Sequence, residues 1–172
     1  MIDNKIKTLG ELNKVVVDLK KQNKKIVTTN GVFDILHAGH VRYLENAKKL
    51  GDILIVGINS DNSVKVNKGP NRPINKEKSR CEVVASLESV NYVFVFDENT
   101  PVEFISIIKP DFHVKAGDYR KSSMPEAEVV EKNGGKVKII GFRRGSSTTK
   151  TIRRIVSLYS SSTHDKPNKF KY

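Results

Sequence analysis

The run "DILIVGI" (Asp52–Ile58) constrains this chain more than any other segment. A strand made of it has no polar face to offer to water, so both of its sides must be covered by other elements. It is one of five candidate strands. The others are "KIVTT" (Lys25–Thr29), "YVFVF" (Tyr92–Phe96), "DFHVKAG" (Asp111–Gly117) and "KVKIIGF" (Lys136–Phe142). Helical signals alternate with them. Thr8 and Glu11 have the spacing of a capping box, and Leu12, Val15, Val16 and Leu19 then recur at helical spacing. Val41, Leu44 and Ala47 mark a second helix, stopped at Gly51. After a polar loop, Asn75 is placed to cap a third helix running to about Leu87. Pro101–Ile108, Pro125–Lys132 (stopped at Gly134-Gly135) and Thr148–Val156 complete the series.

Five strands alternating with helices imply a single α/β domain, a Rossmann-like, doubly wound five-stranded parallel sheet with right-handed crossovers. Residues 1–24 are expected to form an N-terminal helix packing on the domain, 25–156 the domain itself, and 157–172 a polar basic tail. Ligands in such folds sit beyond the carboxyl ends of the strands, where the strand order reverses. The loops after Thr29, Ile58, Lys115 and Phe142 should therefore share one rim.

Composition narrows the partners. The net charge is +12, and residues 136–172 supply +9 of it, with ten Lys or Arg against one Asp. That concentration fits either a nucleic-acid patch or a site for a polyanionic small ligand beside a basic tail. The basic residues are not interleaved with stacking aromatics, so no nucleic-acid partner is expected. No apolar run is long enough to span a bilayer and no signal-peptide core is seen, so no membrane partner is expected either. The single Cys81 excludes an internal disulfide, fits a cytoplasmic location and, with no distinctive motif around it, reads as an ordinary helix position rather than a catalytic thiol.

The rim segments carry the chemistry. In "TTNGVFDILHAGH" (Thr28–His40) the chain leaves a strand, turns through Gly31 and enters a helix near His37 and His40. Free backbone N–H groups at a helix start make an anion site, and histidines at i and i+3 share one face of the first turn. Gly39 between them allows close approach to the backbone. Two histidines fall short of a metal site, which needs at least a third protein ligand, and none is expected here. A purely structural role for the pair remains open on this segment alone. Three further segments point the same way. The loop Asn59–Asn75 offers Lys65, Lys68 and Arg72, with Arg80 on the next helix. "VKAGDY" (Val114–Tyr119) offers Lys115, a turn at Gly117, and Asp118 for a ribose hydroxyl or an ammonium group. "GSSTTKTI" (Gly145–Ile152) offers Ser147, Thr148 and Thr149 at a helix start.

This combination, from Lys25 to Ile155, resembles the nucleotidyltransferase superfamily with a (H/T)-x-G-H motif. "TNGVFDILHAGHVRYLENAKKLGD", "RPIN" followed by Arg80, and "GSSTT" match its signatures in order. "VGINSD", "RPIN" and "VKAGDY" are most similar to the heptose-1-phosphate adenylyltransferases of ADP-heptose synthesis. With no kinase domain in the sequence, the free-standing form is expected. The resemblance implies transfer of AMP from ATP to D-glycero-β-D-manno-heptose 1-phosphate, with Mg²⁺ held mainly by the phosphates and a homodimer as the assembly. It implies that His37 and His40 contact the α- and β-phosphates, and that Lys68 and Arg80 neutralise the reacting phosphates. Thr29, Asn30, Gly31, Phe33, Gly39, Lys115, Gly117, Asp118, Ser147, Thr148 and Thr149 would hold the nucleotide. Asp34, Lys65 and Arg72 would face the sugar phosphate. A CTP-dependent cytidylyltransferase acting on a polyol or sugar phosphate, such as glycerol 3-phosphate, shares fold, histidines and mechanism.

Overall fold

In the computed structural model the described residues are 2–117, 124–141 and 147–160. The five strands are β1 (Ile26–Gly31), β2 (Ile53–Asn59), β3 (Tyr92–Phe96), β4 (Phe112–Ala116) and β5 (Lys136–Ile140). They form one parallel sheet in the order β3-β2-β1-β4-β5. The helices are α1 (Leu9–Lys21), α2 (Ala38–Lys48), α3 (Asp61–Lys68), α4 (Glu77–Ala85), α5 (Val102–Ile108), α6 (Pro125–Lys132) and α7 (Thr148–Tyr159). The chain builds outward from β1 to β3, then crosses back to lay β4 on the other side of β1. The reversal, and the crevice it opens, lies between β1 and β4.

The β2 run explains the layering. Leu54, Val56 and Ile58 join a core with Tyr43, Leu44 and Ala47 of α2 and Val84 of α4. Ile55, between them in sequence, joins the opposite core with Leu12 and Val16 of α1, Phe104 of α5 and Val130 of α6. Side chains alternate across a strand, so an unbroken apolar run feeds two cores at once. Gly57 completes the fit. A Cβ there would come within 3.1 Å of the Phe94 ring, which packs with Phe96 and Phe104.

The capping box forms as its spacing predicts, with Glu11 N–H donating to Thr8 Oγ1 and Thr8 N–H to Glu11 Oε2. Cys81 is buried in the core, and burial pushes its thiol up to about 11, so it behaves as a small hydrophobe. No helix among the described residues is long and apolar enough to cross a membrane.

Among the boundaries that differ from the expectation, four are informative. The polar stretch after β2 contains α3, an eight-residue helix capped by Ser60, whose hydroxyl accepts from Ser63 N–H at 3.0 Å. Val64 is its one fully buried apolar side chain, too little to print a helical period in the sequence. The next helix, α4, starts at Glu77 rather than at Asn75, because Asn75 is committed elsewhere: both its N–H and its amide bond to Asp34. Strand β1 runs on to Gly31, two residues past the "KIVTT" segment. Helix α7 continues to Tyr159, across the expected start of the tail at residue 157.

Candidate functional site

The crevice between β1 and β4 is a cleft of ≈ 370 Å³ lined by Asn30, Gly31, Val32, Phe33, His40, Tyr43, Asn59, Lys68, Lys115 and Ala116. Its form follows from the turn after β1. Phe33 adopts a left-handed backbone (φ 46°), a conformation that costs a bulky residue energy and marks functional turns. The ring folds back over Gly31, where a Cβ would stand 2.9 Å from it, so a side chain there would push the ring aside. The chain then enters α2 with His37 as its N-cap residue, and His37 and His40 stack with ring centroids 3.8 Å apart and planes 16° from parallel.

The stacked pair is electrostatically unusual. Burial, with a second contribution from the nearby His37 charge, pulls His40 down from 6.5 to about 4. The ring is neutral at pH 7 when the cleft is empty. Nδ1 of each ring is buried, and no described group pairs with either. Buried polar atoms without partners are rare and need a reason. Separately from those buried atoms, the charge of a polyanion in the cleft would favour a protonated His40, and the start of α2 already offers positive N–H dipoles. Lys68, at the end of α3, adds an exposed ammonium to the same cleft, and no described carboxylate lies within ion-pair reach of it.

The expected residues divide into those the fold brings to the cleft and those it uses elsewhere. Asn30, Gly31, Phe33, His40, Lys68 and Lys115 line it, and His37 backs His40. Gly117 makes the turn after β4 with φ 113°. Ser147 caps α7 by accepting from Lys150 N–H, and the Thr148 hydroxyl donates to Ile35 O, which docks the start of α7 beside the β1 turn. Thr149 is exposed at that helix start. Asp118 lies outside the described residues.

Six more of the expected residues do not line the cleft. Thr29 is fully buried, its hydroxyl 2.6 Å from Tyr43 Oη and 2.9 Å from Val114 O, so it ties β1 to β4. Gly39 is buried within α2 and does not line the cleft. Asp34 is engaged within the protein. Its carboxylate accepts from Arg72 Nε at 2.8 Å and from the Ile74 and Asn75 N–H groups. That pairing in turn occupies Arg72. Arg80, expected on the phosphates, has a fully buried side chain. Its guanidinium donates to Asn75 O, Val32 O, Asn59 O and the Asp61 carboxylate, so it fixes three rim segments to one another. Lys65 is exposed on α3 and does not line the cleft.

Sequence reasoning missed Tyr43 and Asn59. Tyr43 follows the histidines on α2 with no motif to mark it, yet its hydroxyl reaches Thr29 and Val114 O, and its side chain lines the cleft. Asn59 ends β2 on the rim, a position that the strand-end rule alone could have flagged.

A family model described as cytidylyltransferase-like matches residues 28–164, from the first cleft strand past the end of α7. The chain belongs to this family. A cytidylyltransferase-like domain of this kind is a nucleotidyltransferase. "Bifunctional protein HldE" from a Nitratiruptor species is 49% identical over 152 residues, covering 88% of this chain and 32% of the relative. The protein of the same name from Aliarcobacter butzleri is 49% identical over 150 residues, covering 87% and 31%. The chain thus spans about a third of the length of these curated relatives. Among solved structures, a lipopolysaccharide core biosynthesis protein from Thermoplasma volcanium is similar at TM-score 0.57 and 34% identity, over 72% of this chain and 99% of that one. A pantoate-beta-alanine ligase from Francisella tularensis shares the fold at TM-score 0.57 and 16% identity, over 90% and 77%.

Proposed function

We propose that this cytidylyltransferase-like chain transfers AMP from ATP to D-glycero-β-D-manno-heptose 1-phosphate, giving ADP-heptose and pyrophosphate. The observation that supports the reading is the stacked His37–His40 pair at the start of α2, whose His40 lines the β1/β4 crevice together with Lys68. The choice of substrate is supported by the relatives named HldE, by the lipopolysaccharide core biosynthesis protein, and by the motifs "VGINSD", "RPIN" and "VKAGDY".

An oxygen of the sugar 1-phosphate attacks the α-phosphorus in line. The bond from that phosphorus to the α,β-bridging oxygen breaks, and pyrophosphate leaves with the electron pair. The attacking phosphate is already ionised at neutral pH, so no residue need act as general base. The protein has to position the reactants and stabilise the charge that gathers on the equatorial and leaving oxygens. His40 enters neutral and donates one hydrogen bond; the arriving triphosphate raises its proton affinity, and it becomes a stronger, charged donor as the reaction proceeds. His37 holds the ring of His40 by stacking and donates beside it. Lys68 neutralises the phosphates from the α3 side, while the α7 start, with Ser147, Thr148 and Thr149, offers N–H groups to the far end of the triphosphate. Asp118 belongs to the same reading as the ribose contact. Mg²⁺ fits as a passenger on the phosphates, because the described cleft presents nitrogen and amide donors and no described cluster of three His, Cys, Asp or Glu is suited to a metal. When bound, it would supply charge neutralisation between phosphate oxygens.

The cytidylyltransferase-like character of the family favours a second reading, in which CTP replaces ATP and a polyol or sugar phosphate accepts. One experiment separates them: pyrophosphate release measured for ATP and CTP, each with heptose 1-phosphate and with glycerol 3-phosphate. The first reading expects release only with ATP and the heptose phosphate. Release with CTP and glycerol 3-phosphate would replace it with the second.

A further inference from the structure

The cleft is lined by two lysines in opposite electrostatic situations, and its two halves differ accordingly. Lys68 on the α3 side has no described counter-ion. Lys115, at the end of β4, has its Nζ 2.7 Å from Glu126 Oε1 and 2.8 Å from Asn30 Oδ1. The Glu126 side chain is 5% exposed and that of Lys115 17%, so this is an ion pair held largely away from water. Such a pair persists only where its geometry and hydrogen bonds are good. It also fixes an atom assignment. A lysine ammonium can only donate, so Asn30 must turn Oδ1 to Lys115 and leave its NH₂ end for something else.

We propose that Glu126, which approaches from α6 beneath the cleft, cancels the charge of Lys115, so that the β1/β4 floor recognises the uncharged half of the nucleotide. The phosphates are then left to the His37, His40 and Lys68 wall. Glu126 is a positioning residue acting through Lys115. With one Lys115 N–H and the Asn30 NH₂ as remaining donors, the floor suits neutral acceptor atoms such as a hydroxyl, carbonyl or ring nitrogen of the sugar or base. A phosphate there would face the Glu126 carboxylate just behind the one cation that the described floor presents. The inference rests on the nucleotidyltransferase reading and gives the bound nucleotide a direction: base and sugar towards β4, phosphates towards α2 and α3.

The test titrates inorganic pyrophosphate into wild type, Glu126→Gln and the double variant K115M/E126L by calorimetry, with kcat and the KM for ATP measured on the same preparations. Glu126→Gln leaves Lys115 uncompensated, so pyrophosphate should bind about three- to tenfold more tightly, the gain shrinking with added salt. The double variant keeps the net charge of the floor. Its pyrophosphate affinity should stay within about twofold of wild type while its KM for ATP rises at least about fivefold, the loss expected for one or two neutral-acceptor hydrogen bonds. A double variant that loses pyrophosphate affinity about tenfold would put Lys115 on the phosphates and overturn the proposal. So would a Glu126→Gln variant that binds pyrophosphate as wild type does. A merely structural Glu126 would lower the melting temperature and leave both affinities unmoved, which also overturns it. If the affinities move as expected but no triphosphate yields pyrophosphate with any acceptor, the transfer reading falls and the charge partition stands.

Discussion

Two clusters of charged and polar side chains stand on the same rim, a few residues apart in sequence, and only one of them is open. In the knot formed by Asp34, Arg72, Asp61 and Arg80, every charged group meets an opposite charge or a backbone group within hydrogen-bond distance. In the wall formed by His37 and His40, the buried ring nitrogens have no described partner, and Lys68 beside them has no described counter-ion. The knot holds the β1 turn, the end of β2 and the segment before α4 in register. The wall is what that register presents. The contrast teaches that a charged residue at a strand end is informative only once its partners are known: satisfied groups build the site, and unsatisfied ones serve it.

That contrast can be broken most sharply at Arg80. Arg80→Met removes a buried guanidinium and leaves Asp61 and three carbonyls without it, so chemical denaturation should show a loss of about 3–5 kcal/mol. ATP affinity of the fraction that remains folded should hold. A variant as stable as wild type but without turnover would move Arg80 into the wall. The mirror experiment is His40→Ala. Turnover should fall on the order of 10²–10³-fold with ATP still bound and melting nearly unchanged, and near wild-type kcat would sink the role given to the pair. Asp34→Asn keeps the shape of the knot but weakens its bond to Arg72; a cost of about 1–3 kcal/mol in stability is expected, read from the denaturation midpoint. Lys68→Met should leave stability untouched and reduce kcat/KM for ATP about tenfold, the size of one charge-assisted hydrogen bond. Equal melting loss and kinetic loss would place Lys68 with the knot.

The smallest effects lie in pH. His40 and the fully buried His113 have proton affinities below the ordinary histidine value, His40 at about 4 and His113 at about 3, burial being the main cause in both. The unfolded chain therefore binds protons that the folded chain refuses. Stability conferred by the neutral rings is full above about 6.5 and is lost as pH falls towards 4 for His40 and 3 for His113. His113→Leu should flatten the stability profile below pH 6, and an unchanged slope would assign it to other groups. Binding of ATP should oppose the shift at His40 alone. Near pH 5.5 the complex should take up a proton, seen as a binding enthalpy that changes with the ionisation heat of the buffer.

The layering was legible in the sequence because it depends on periodicity. Five apolar runs separated by helical spacing leave few ways to cover both faces of a parallel sheet, and "YVFVF" became β3 without a shift at either end. The capping box at Thr8 was equally local: all its donors and acceptors lie within four residues. Helix α3 escaped because its buried face is little more than Val64, and a helix that short leaves no period to read.

The site was half legible, and the reason is physical. Residue type and strand-end position are written in the chain, so Asn30, Phe33, His37, His40, Lys68 and Lys115 could be named from it. Partnership is not written there. Arg80 and Lys68 are both cations following β2, but one is walled in by carbonyls from residues 32, 59 and 75 and the other is left bare. Thr29 and Asn30 are neighbours on β1, and the alternation of the strand sends the first hydroxyl inward to Tyr43 and the second amide out to Lys115. The sequence by itself determined a doubly wound sheet with its chemistry on one rim, since hydrophobic periodicity and turn residues act over short range. Only the tertiary structure decided which rim charges are spent and which remain, because desolvation and pairing depend on groups that lie far apart in the chain, such as Glu126 behind Lys115 and Asp34 beneath Arg72.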